Sequence, residues 1–139
     1  MDRDTFMRQV MERIRCDEAR AESLTYLVFR QLRERLTVKE AAHVAAQLSA
    51  PLRRLWQEGE QRDREVERSH AAEFVGRVRQ EAGLPSDAEA ERAVRALFAV
   101  LQRALGSSTG KEGEAWDILS QLPKDLKRLW MAAGEPPAE

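Results

Sequence analysis

Few residues in this chain could do chemistry, and their spacing decides what each of them can do. Glu40 and His43 form Glu-x-x-His, a spacing that sets two metal ligands on one helical face, as in di-iron carboxylate bundles. Such a centre needs a second Glu-x-x-His and two further carboxylates. The matching positions later in the chain are Glu114 and Asp117, so the second histidine is missing. His70, the other histidine, borders a charged run and is expected to be solvated, which leaves a serine–histidine arrangement without its base. Cys16 is the single cysteine; an internal disulfide and a cysteine zinc site are excluded, and it reads as a small apolar residue near a helix end. Gly110 and Lys111 lie in GSSTGKEGE, residues 106–114. A phosphate loop needs GxxxxGK and then Ser or Thr, after a buried strand. Here Glu112 follows and a helix precedes, so the segment reads as a mobile interhelical loop. The expectation is no catalytic residue, no cofactor and no resident metal.

Basic residues beside tryptophan are the stronger candidates. Arg53 and Arg54 precede Trp56, and Lys127 and Arg128 precede Trp130. Such pairs can bind phosphates or stack on bases. The competing reading is structural: Leu52, Leu55 and Trp56 recur at spacings of three and four, an inward stripe, and the cations suit a helix C-terminus. Trp116 stands where the earlier segment has Ala42, and is either extra core or a contact residue. Arg53, Arg54, Trp56, Trp116, Lys127, Arg128 and Trp130 together are the possible interaction surface.

These pairs belong to an internal echo. QLSAPLRRLW at 47–56 returns as QLPKDLKRLW at 121–130. Upstream, Phe6 and Val10 match Phe74 and Val78, while Val28, Phe29, Leu32 and Leu36 match Leu97, Phe98, Leu101 and Leu105. An echo this long predicts two copies of one helical unit burying faces against each other. Apolar periodicity places helices at about 3–15, 18–36, 38–48 and 50–58, then 70–82 and 87–105, with a seventh around Ala115–Leu122 and an eighth opened by Pro123. Asp17 is a candidate N-cap, and TVKE at 37–40 and SDAE at 86–89 are candidate capping boxes. Pro51 suits a first turn, and Gly59, Gly83 and Gly106 suit helix ends. EGEQRDREVERS at 58–69 reads as either a solvated helix or a flexible link. The predicted fold is an all-α helical bundle of two pseudo-repeated three- to four-helix units. Residues 1–60 form the first repeat, 61–69 a charged linker, 70–134 the second repeat and 135–139 a disordered tail, in one compact domain.

Composition agrees with this architecture. The 139 residues are 42% hydrophobic but only 6% aromatic, so the core must be built from Leu, Val and Ala, which favours helices. The net charge of −1 supplies no global field toward nucleic acid or an anionic membrane. No apolar run approaches the roughly 20 residues that cross a bilayer. The N-terminus, MDRDTFMRQV, lacks a signal-peptide core, so the expected compartment is the cytoplasm.

The chain resembles a bacterial family catalogued as domain of unknown function 2267. The likeness rests on Phe6–Val10 and Phe74–Val78, on the Arg35–Leu36 step with its looser match Ala104–Leu105, and on the QLPKDLKRLW ending. In the first copy Ser49 replaces the proline of that ending and Pro51 comes two positions later. The resemblance implies an all-helical fold and brings no activity, substrate or catalytic residue. The leading functional expectation is a non-enzymatic helical protein-interaction or regulatory module, monomeric or homodimeric, with an unknown protein partner and no nucleic acid or membrane. One alternative is a small-ligand or nucleotide-binding regulator with a cleft between the repeats. The other is a metal-dependent enzyme centred on Glu40 and His43.

Overall fold

Eight α-helices carry the described part of the chain, which in this computed structural model is residues 1–105 and 113–134. They are α1 (Arg3–Ile14), α2 (Glu18–Glu34), α3 (Val38–Ala46), α4 (Ala50–Gln57), α5 (Ala71–Ala82), α6 (Asp87–Ala104), α7 (Glu114–Leu119) and α8 (Lys124–Ala133). Among the described residues there is no strand. Gly106, Gly110, Lys111 and the tail 135–139 lie outside the described residues.

Local chemistry starts and stops most of these helices. The carboxylates of Asp2 and Asp17 each accept the backbone N–H three residues on, at 2.8 Å. Thr37 and Glu40 form the full reciprocal box, with both bonds at 3.0 Å. At Ser86 only half of the expected box is present: its Oγ accepts from the Glu89 N–H at 3.1 Å, while the Glu89 carboxylate turns to Arg92 at 3.2 Å. Gly83 closes α5 in the left-handed region at φ 67, and Arg15 closes α1 in the same conformation at φ 62. Gly59, expected to cap α4, comes one residue late. The C-cap is Glu58, and Gly59 makes the following turn at φ 79.

A line of edge-to-face aromatic rings runs through each half. Phe6 meets Phe29 at 5.7 Å and Phe29 meets Trp56 at 5.3 Å; Phe74 meets Phe98 at 5.6 Å and Phe98 meets Trp130 at 5.2 Å. Each contact of this kind adds about 0.5–1.5 kcal/mol beyond the burial of its area. The helices then cross between halves. α1 packs on α2 and also on α6, α5 packs on α6 and also on α2, and α3 faces α7. Their buried side chains form one continuous core. Polar side chains tie the same seam. The guanidinium of Arg35 is buried, lies 4.9 Å over the Phe74 ring and bonds Ser69, and Arg30 on α2 pairs with Glu81 on α5. Burial pushes Arg35 below its ordinary range against the pull of Glu67.

The charged segment 58–69 is neither helical nor loose. Arg64 reaches back to the last turn of α2 and the residues just after it, bonding the carbonyls of Arg33 and Leu36 at 2.8 Å each. Glu60 grips the same guanidinium at 2.6 and 3.1 Å, and the Glu67 N–H donates to the Glu34 carbonyl at 2.8 Å. The segment thus supplies hydrogen-bond partners that the last turn of a helix cannot find within itself.

Candidate interaction site

The structure separates the seven residues proposed for an interaction surface. Trp56, Trp130 and Trp116 are interior side chains, at 1%, 0% and 7% exposure. Trp56 donates from Nε1 to the Ala41 carbonyl at 2.9 Å. Trp130 meets Trp116 edge-on at 5.7 Å, and its Nε1 has no acceptor among the described residues. None of the three is placed to stack on a ligand base. Arg53 caps α3, donating to the carbonyls of Ala45 at 3.1 Å and Leu48 at 2.9 Å. Arg54, Lys127 and Arg128 remain exposed.

Two polar residues inside the stripes of α2 and α6 were missed. Arg33 donates to the carbonyls of Trp56 at 2.9 Å and Glu58 at 2.7 Å; Gln102 donates to that of Trp130 at 2.7 Å. Each therefore closes the helix that carries its half's tryptophan. The available signal was a polar residue four positions after Phe29 and after Phe98, on an otherwise apolar face. The Glu40 carboxylate accepts from the Thr37 N–H at 3.0 Å, the capping role that its place three residues after Thr37 predicts. No group of three or more metal-capable side chains gathers among the described residues.

A groove of about 490 Å³ lies where α5, α6 and α8 converge. Ala71, Ala72, Val75 and Leu129 give it an apolar floor, and Asp87, Glu91, Asp125 and Arg128 stand around it. Arg128 also borders a neighbouring depression of about 360 Å³ with Lys124, Lys127, Met131 and Ala132. Met131 is 41% exposed there, a large apolar side chain beside a cationic rim. Asp125 is held in place: it accepts from the N–H groups of Ala71 at 3.1 Å and Leu126 at 2.8 Å, with His70 Nδ1 at 3.3 Å. Burial opposes its ionisation, but these N–H groups and His70 outweigh it and hold the carboxyl below its ordinary range. An apolar floor with opposite charges on its rim suits recognition of an amphipathic side chain.

Two clefts flank the 58–69 segment. One of about 210 Å³ includes Arg33, Glu34, Arg64 and Glu67, and one of about 630 Å³ includes Thr37, Arg64, Glu65 and Arg68. Both mix charges of each sign over the Arg64 clasp. No helix among the described residues is long and apolar enough to cross a membrane.

The chain belongs to the family of uncharacterized conserved proteins known as DUF2267, whose model matches residues 3–129. No curated protein matches it. Membership agrees with the resemblance carried by the Phe-xxx-Val helices and the QLPKDLKRLW ending, and it assigns no chemistry to any residue.

Proposed function

We propose that this member of the DUF2267 family is a non-enzymatic protein-interaction module that docks a partner protein on its α5–α6–α8 face. The observation that carries the reading is the groove itself, whose apolar floor adjoins exposed Met131 and the cations Lys127 and Arg128. An exposed apolar patch rimmed by polar groups is a common mark of an interaction surface. A cytoplasmic bacterial setting fits its charged exterior. We further propose that the two halves are copies of one four-helix unit about an approximate two-fold axis. The exchanged packing supports this, α1 on α6 answering α5 on α2, and so do the paired aromatic lines.

The test is in-cell photo-crosslinking in the native host, with the crosslinking residue at Ala72 in the groove or at exposed Arg13 on α1. The expected result is a discrete adduct from position 72 that is absent from position 13 and is lost in Leu129→Glu. Equal adducts from both positions, or none from position 72, would reject this face as the docking surface.

A further inference from the structure

The start of α1 shows how this chain holds a cation against two carboxylates of a neighbouring helix. Arg3 is the first residue of α1, directly after the N-cap Asp2. Its guanidinium spans to α2, with Nη1 at 3.0 Å from Glu18 and Nη2 at 2.8 Å from Glu22. This is a fork across two carboxylates one helical turn apart, the geometry for which arginine is suited and lysine is not. Donation to Glu22 and to Glu18 holds the Arg3 cation above its ordinary range.

The second half keeps the carboxylates and has alanine where α1 has the arginine. Asp87 directly follows the N-cap Ser86 of α6 and Glu91 lies one turn on, as Glu18 follows Asp17 and Glu22 lies one turn on in α2. Ala71 is the first residue of α5, directly after the N-cap His70, where α1 has Arg3. Both carboxylates and Ala71 line the 490 Å³ groove. Asp87 reaches Arg79 at 3.3 Å and Glu91 reaches Arg95 at 3.9 Å, both of them exposed pairs that bind weakly and are readily exchanged.

We propose that this groove receives an arginine side chain of the partner protein, its guanidinium between Asp87 and Glu91 as Arg3 lies between Glu18 and Glu22. The partner's methylene stem then covers Ala71, Val75 and Leu129. The assignment rests on the docking reading above and names the chemistry that the docked surface must carry: a basic residue flanked by apolar ones. It follows that the first half accepts no such partner, because its own Arg3 fills the equivalent place.

The test is an amide NMR titration of the whole protein with acetyl-Leu-Arg-Leu amide, against the same peptide carrying neutral, near-isosteric citrulline. The expected result is saturable shifts at Ala71, Ala72, Glu91 and Leu129 with the arginine peptide and about tenfold weaker binding with citrulline. Asp87→Asn with Glu91→Gln should erase that difference. Ala71→Arg should fill the groove from within, remove the peptide response and raise the melting temperature by about 1–4 °C. Equal binding of both peptides in the groove overturns the guanidinium assignment and leaves the docking face standing. No response to either peptide, or a response that survives Ala71→Arg, also overturns it, and the crosslinking at Ala72 then judges the docking face separately.

Discussion

The tryptophans show how two side chains with the same packing differ in their polar atoms. Trp56 and Trp130 each sit edge-on to a phenylalanine, and each helix end is closed by a polar side chain, from Arg33 or Gln102. Only the Trp56 indole N–H has an acceptor among the described residues. Truncating either to alanine should cost about 3–5 kcal/mol. Trp56→Phe should cost about 1 kcal/mol more than Trp130→Phe, because it removes a hydrogen bond whereas the other removes a buried donor with no acceptor among the described residues. Urea unfolding of the four variants checks both statements, and equal losses for the two phenylalanine variants would contradict the second. Arg15 and Gly83 make a similar pair. Both hold the left-handed conformation at a helix end, which costs arginine about 1–2 kcal/mol and glycine nothing. Arg15→Gly is therefore expected to stabilise by about 0.5–1 kcal/mol, net of the entropy glycine adds to the unfolded chain, and Gly83→Ala to destabilise. Thermal melts of the two variants should move in opposite directions.

At the scale of elements, the irregular 58–69 segment is tied to the end of α2 by side-chain and backbone hydrogen bonds. Arg64 closes the end of α2 while Glu60 grips its guanidinium, and Glu60 also lies 3.6 Å from Arg33 Nε. Burial opposes the Glu60 charge, but Arg64 and Arg33 outweigh it, so the carboxyl ionises more readily in the folded chain than its ordinary 4.5. A carboxylate with a depressed folded value contributes stability that is fully present above the unfolded value. That contribution is lost as pH falls from about 4.5 through the folded value. Glu60→Gln should destabilise by about 1.5–3 kcal/mol at neutral pH, as expected for loss of charge-assisted bonds. Its deficit against the parent protein should shrink as the pH is lowered below 4.5. Chemical unfolding across that range tests the clasp, and a deficit independent of pH would assign Glu60 a packing role instead.

For the whole molecule, the crossing of helices between halves decides whether one half can exist alone. α1 and α2 bury surface on α6 and α5 as well as on each other, and Arg35 and Arg30 take partners from beyond the first half. A fragment of residues 1–69 would expose those faces. It should either remain unfolded or pair with a second copy of itself through the surfaces that normally meet α5, α6 and α7. Circular dichroism and sedimentation of the fragment distinguish these outcomes from a cooperatively folded monomer, which would show that the seam contributes little.

The sequence by itself determined the helices, most of their caps and the inward tryptophan stripes. These depend on residues within one or two turns of each other: Asp17 on Arg20, Thr37 on Glu40, Leu52 and Leu55 on Trp56. The apolar positions of α2 and α6 were legible for the same reason, apart from Arg33 and Gln102, whose acceptors lie more than twenty residues away. Tertiary structure alone decided the path of the 58–69 segment, because the carbonyls that Arg64 captures, at and just after the end of α2, lie about thirty residues earlier. It also decided the groove. Ala71, Asp87 and Leu129 are unremarkable in the chain, and they become a site only where α5, α6 and α8 converge. Ala71 standing where α1 has its arginine is legible only against Arg3, whose contact with Glu18 and Glu22 exists because folding brings the starts of α1 and α2 side by side.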